Sequence, residues 1–103
     1  SSQKIENMLL SFDEVSCAIV YGDGKPFLIA LIKLNDDYKN SNIKKIIQDL
    51  NSRLNTTEKI RKFIVLDVEP TYENGMMTQT MKVKKEKVFL LYKKQIEELY
   101  SNL

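Results

Sequence analysis

The chain has 103 residues, 43% of them hydrophobic and 29% charged, with 16 basic and 14 acidic side chains and a net charge of +2. That length suits one domain with a single modest core, and the near balance of charge argues against a dedicated polyanion binder. With no histidine and one cysteine, the sequence excludes an internal disulfide framework, a Ser-His-Asp triad, a Cys-His pair and a zinc site built within the chain.

In chain order, Ile5, Met8 and Leu9 fall at i, i+3, i+4 and predict a short amphipathic helix. Val15–Tyr21 and Pro26–Leu34 read as strands joined by the turn Gly22-Asp-Gly-Lys25. Both are apolar on both sides, so helices are expected to cover each face of their sheet. The run Phe27–Ile32 is the longest purely apolar stretch and is too short to span a bilayer. Ser1–Glu6 lacks the apolar core of a signal peptide, which makes the cytoplasm the expected location.

Asn35–Asn42 reads as loop, and Ile43, Ile46, Ile47, Leu50 and Leu54 give a helical stripe. Thr56–Lys62 adds a helical turn, and Phe63–Val68 reads as a third strand. Glu69–Gly75 is loop, with Asn74-Gly75 its strongest turn signal. A last helix is expected from Lys84 to Leu103, burying Val88, Leu91, Tyr92, Ile96, Leu99 and Tyr100. The order predicts one small α+β domain over residues 1–103. Its sheet is expected to be three-stranded and mainly antiparallel, with helices on both faces and room for a short extra hairpin.

Most candidate sites have an ordinary explanation. Cys17 lies mid-strand among apolar neighbours with no histidine to activate it, and reads as a small core residue. Gly22-Asp-Gly24 lacks the spacing of a phosphate loop and is accounted for by a hairpin turn. Met76, Met77 and Met81 read as packing or loop filler. The cluster Lys82, Lys84, Lys85 and Lys87 is different, because it sits where the last helix begins and only Glu86 offsets it. Cations there oppose the helix dipole by about 0.3–1 kcal/mol each. A solvated basic patch is one reading. The other is anion contact, with Gly75, Thr78 and Thr80 in a mobile loop that brings a lysine to a phosphate.

The segment Gly75-Met-Met-Thr-Gln-Thr-Met-Lys-Val-Lys-Lys85 resembles the G-E-L-T-P-T-L-K-L-K-R stretch near the C-terminus of long-chain acyl-CoA synthetases, members of the adenylate-forming superfamily. Three further blocks resemble the same family in the same order: the hairpin Ile19–Ile32, the stretch Asn51–Phe63, and Tyr92–Tyr100. Gln3–Asn7 resembles the stretch that follows the family's hinge. Four positions depart from the pattern, one of them Ser2, which falls where a proline is common. Met76 stands for an acid, Lys85 for an arginine, and Gln79 for a proline, whose loss is expected to loosen the loop.

The resemblance implies a C-terminal lid domain of an AMP-forming fatty acid–CoA ligase. It makes Lys82 the catalytic lysine of acyl-adenylate formation and Gly75, Thr78 and Thr80 parts of a substrate loop. It further implies ATP and Mg²⁺, held mainly by a large N-terminal domain that is the lid's partner, with fatty acid and CoA as co-substrates. No metal site and no nucleic-acid partner are expected in the lid, and membrane contact of the parent enzyme is not expected through it. Alone, the lid is expected to be inactive. Two other readings stand beside this one: a catalytically inactive paralogue, and a small anion- or nucleic-acid-binding module.

Overall fold

The computed structural model describes residues 2–101. The chain forms two compact units, one ending at Asp67 and the other beginning at Val68.

The first unit opens with α1 (Ser2–Leu10), which lays Ile5 and Leu9 against β1 (Val15–Tyr21). Beside them lies Glu6, a carboxylate only 3% exposed. Its Oε2 accepts a 2.8 Å hydrogen bond from the Val20 N–H. Since β1 is an edge strand, the contact gives that N–H an acceptor from a helix instead of a neighbouring strand. Glu6→Ala is therefore expected to destabilise the chain by roughly 1–3 kcal/mol, because a buried donor loses its partner. Urea denaturation measures this directly, and an unchanged midpoint would contradict it.

The strands β1 and β2 (Leu28–Leu34) pair antiparallel, with Ala18 opposite Ile32, Ile19 opposite Leu31 and Val20 opposite Ala30. The connecting turn depends on Gly22, whose φ is +142°. A Cβ there would lie 2.6 Å from the Phe27 carbonyl oxygen and 2.9 Å from the Leu28 Cα, so only glycine fits. Even-numbered Ala18, Val20, Ala30 and Ile32 form one core cluster with α1 and α2 (Ile43–Asn51). On the opposite face Cys17, Ile19, Ile29 and Leu31 are also buried, in keeping with strands that are apolar on both sides. Cys17 is thus a core residue.

Asn42 starts α2 by accepting a hydrogen bond from the Lys44 N–H on its side-chain oxygen. At the other end the Asn51 side chain brackets one residue. Its Oδ1 accepts from the Ile60 N–H at 2.8 Å, and its Nδ2 donates to the Ile60 carbonyl at 2.9 Å. This contact fixes where β3 begins. The strand runs Ile60–Val65, earlier than the expected Phe63–Val68. The helical turn expected over Thr56–Lys62 shrinks to a 3₁₀ turn at Thr56–Glu58, capped by Asn55. A second 3₁₀ turn, Asp36–Tyr38, occupies part of the expected loop.

The sheet has the order β1-β2-β3 and is mixed, since β2 and β3 pair in parallel. Parallel neighbours need a long crossover, and the segment carrying α2 supplies it.

In the second unit the expected single helix is bent. It consists of α3 (Lys85–Leu91) and α4 (Lys93–Ser101), separated at Tyr92 with φ −108° and ψ 18°. Hydrogen bonds from Tyr92 N to Val88 O and from Ile96 N to Tyr92 O carry the ladder through the bend. Val88, Tyr92 and Ile96 are buried at the i, i+4, i+8 spacing of one helix face. Leu91, expected in that stripe, is instead 55% exposed; the step from Leu91 to buried Tyr92 takes it about 100° round the helix. The helix end expected at Leu103 lies outside the described residues.

Candidate functional site

The loop between Glu69 and α3 has a hub that is a side chain. Asn74 Oδ1 accepts from the N–H groups of Thr71 (3.0 Å) and Met76 (3.1 Å), and its Nδ2 donates to the Glu69 carbonyl at 2.9 Å. The Asn74 N–H in turn donates to Thr71 Oγ1. The next residue, Gly75, has φ +79°. Its place in the loop is thus explained by backbone conformation, which a residue with a Cβ adopts poorly.

From there the chain makes a small hairpin. Met76 is 2% exposed and anchors it, while its carbonyl accepts from the Lys84 N–H at 2.8 Å. Met77 and Val83 form an antiparallel bridge, which supplies the short extra hairpin. The tip, residues 78–82, is closed by Thr78. Its N–H donates to the Lys82 carbonyl at 2.8 Å, and its Oγ1 accepts from the Lys82 N–H at 3.1 Å. The Thr78 carbonyl also accepts from the Met81 N–H at 3.0 Å. Met81 is the one positive-φ residue other than glycine among those described, at 66°, and it is 67% exposed. Such a conformation persists only where its surroundings over-determine it.

The hydroxyls of Thr78 and Thr80 lie 3.0 Å apart and bond each other, and that of Thr78 also holds the Lys82 backbone. They serve the loop's own frame. Gln79, whose presence was expected to loosen the loop, donates from Nε2 to the Tyr72 hydroxyl at 3.3 Å and ties the tip to the preceding turn. Neither Asn74's role as hub nor the Tyr72–Gln79 tie was visible in the sequence beyond the Asn-Gly turn signal.

Lys82 itself is exposed, with both backbone polar groups engaged and, among the described residues, no partner on its ammonium. Lys84 and Lys87 are also exposed, and Lys84 caps α3 without a side-chain hydrogen bond. Only Glu86 is acidic in the first turn of α3. Lys82, Lys84 and Lys87 thus expose three ammonium groups within one short stretch of chain that also carries Glu86. Among the described residues no group of three or more His, Cys, Asp or Glu could hold a metal ion. No described helix is long and apolar enough to cross a membrane.

Residues 1–103 match the family described as the AMP-binding enzyme C-terminal domain. The long-chain-fatty-acid–CoA ligase FadD15 of Mycobacterium tuberculosis is 30% identical, in a match covering 94% of this chain and 20% of its own length. The human long-chain-fatty-acid–CoA ligase 6 is 27% identical, covering 96% of this chain and 18% of its own length. The chain thus spans about a fifth of the length of the curated relatives it matches. Among solved structures, the A-PCP didomain of a carboxylic acid reductase from Segniliparus rugosus, in complex with AMP, superposes with a TM-score of 0.87. It is 23% identical, and the match covers 99% of this chain and 16% of that one. A benzoate CoA ligase from Burkholderia xenovorans LB400 gives a TM-score of 0.65 at 24% identity, over 85% of this chain and 18% of that one. At such identities these two structures establish the fold alone.

Proposed function

The chain belongs to the AMP-binding enzyme C-terminal domain family, and on that premise we propose that it is the lid of an AMP-forming fatty acid–CoA ligase in which Lys82 serves acyl-adenylate formation. The observation that carries this reading is the presentation of Lys82. A closed hairpin fixes its backbone, while its side chain stands exposed, close in sequence to exposed Lys84 and Lys87, with no partner on its ammonium among the described residues.

In the first step the fatty carboxylate attacks the α-phosphorus of ATP, forming the acyl–phosphate bond and expelling pyrophosphate. Two anions must approach each other, and negative charge builds on the phosphoryl oxygens as they do so. A lysine ammonium between them relieves the repulsion and stabilises that charge where it develops. In the second step the CoA thiol attacks the acyl carbonyl and AMP leaves, which needs no cation at that place. A compact charge on a flexible stem, carried by a domain that docks and then rotates away, suits both steps. The partner is the large N-terminal domain of the same polypeptide, to which ATP, Mg²⁺ and the acyl chain are assigned.

The test is ATP–pyrophosphate exchange with a fatty acid, run on the full-length polypeptide, on the large domain alone and on residues 1–103 alone. Exchange is expected only when the lid is joined to the large domain. Equal exchange with and without the lid would contradict the proposal. Salt-sensitive nucleic-acid binding by residues 1–103 at micromolar or tighter affinity would instead favour an anion-binding module.

A further inference from the structure

The geometry points to Thr78 as the positioning residue for Lys82, and not as a substrate contact, an inference that rests on Lys82 being the adenylation lysine. Both backbone polar groups of Lys82 end on this one residue. The Thr78 N–H reaches the Lys82 carbonyl at 2.8 Å, and Thr78 Oγ1 receives the Lys82 N–H at 3.1 Å. The bond from Met81 N to the Thr78 carbonyl, at 3.0 Å, closes the turn between them and holds Met81 at φ 66°. The Thr80 hydroxyl, 3.0 Å from Thr78 Oγ1, restrains the rotamer that makes the clamp. The tie from Gln79 to Tyr72 keeps the tip from swinging on its base.

A hydroxyl with these neighbours has little left for a ligand. A Ser or Thr hydroxyl has one donor and two acceptor positions. In Thr78 one acceptor position takes the Lys82 N–H, and a second position is spent on Thr80. What the hydroxyl does is set the direction in which the lysine stem leaves the loop. That direction matters because Lys82 acts at a distance through a long side chain, so a small rotation at its Cα becomes a displacement of its ammonium. A misplacement of about 1 Å at a reacting centre can cost on the order of 10²-fold in rate.

The experiment uses the full-length polypeptide with Thr78→Val, which keeps shape and removes the acceptor, and Thr78→Ser, which keeps the acceptor. Thr78→Val is expected to lower kcat for pyrophosphate exchange by roughly 10–10²-fold, with KM for ATP and fatty acid unchanged. Thioester formation from a supplied acyl-adenylate is expected at the wild-type rate, which also establishes that the variant is folded. Thr78→Ser is expected to stay within about threefold of wild type. Added to Lys82→Ala, Thr78→Val is expected to cost nothing more, since the position of an absent ammonium no longer matters. Wild-type exchange by Thr78→Val, an equal loss with serine, or an additive loss on Lys82→Ala would each overturn the inference while leaving Lys82 in its role. Wild-type exchange by Lys82→Ala would overturn both.

Discussion

Lys82→Ala is expected to slow acyl-adenylate formation by roughly 10²–10³-fold, the loss that follows removal of a single preorganised charge-stabilising donor. The effect should be confined to chemistry. Every bond that Lys82 makes within the hairpin uses its backbone, which alanine retains, and its side chain is exposed. Thermal unfolding of the variant should therefore match wild type to within about 0.5 kcal/mol. Lys82→Arg keeps the charge but spreads it over a planar head with a different reach, so an intermediate rate is expected. A loss in the arginine variant as deep as that in the alanine variant would show that geometry, and not charge alone, sets the rate.

Leu50→Ala carries the largest expected effect on stability. Leu50 is 0% exposed on α2, in the cluster that joins α1, α2 and the sheet. Removing three carbons there leaves a cavity that close-packed neighbours fill only in part, at about 2–5 kcal/mol. A domain of this size holds only about 5–15 kcal/mol in all, so the variant should unfold at a clearly lower urea concentration. Leu50 also precedes Asn51, whose side chain fixes the start of β3. A midpoint within error of wild type would contradict the placement of Leu50 in the core.

The parts of the fold that periodicity encodes were legible in the sequence. Ile5 and Leu9 marked α1, runs apolar on both faces marked β1 and β2, and Ile43 to Leu50 marked α2. What escaped depended on contacts that leave no periodic trace. The start of β3 is set by Asn51 reaching a backbone nine residues away. The parallel pairing of β2 with β3 is a matter of crossover, and the bend at Tyr92 has neither proline nor glycine to announce it.

The loop divides in the same way. Family likeness singled out Gly75, Thr78, Thr80 and Lys82; Gly75 lies in the turn before the hairpin and the other three in its tip. It could not say that Thr78 holds the lysine's backbone, because the turn that allows this passes through Met81 at a positive φ. Glycine at that position would have signalled the turn; methionine does not. Gln79 was the residue that most threatened the loop on paper. In the structure its amide makes a bond to Tyr72 that a proline has no group to make.

In the proposed role, Lys82 works in one half-reaction and is dispensable in the other. The direct test measures both halves in the full-length polypeptide carrying Lys82→Ala: pyrophosphate exchange with a fatty acid, and thioester formation from a supplied acyl-adenylate and CoA. The expected result is loss of the first, by roughly 10²–10³-fold, with the second at the wild-type rate. Wild-type rates in both halves, or equal losses in both, would contradict it.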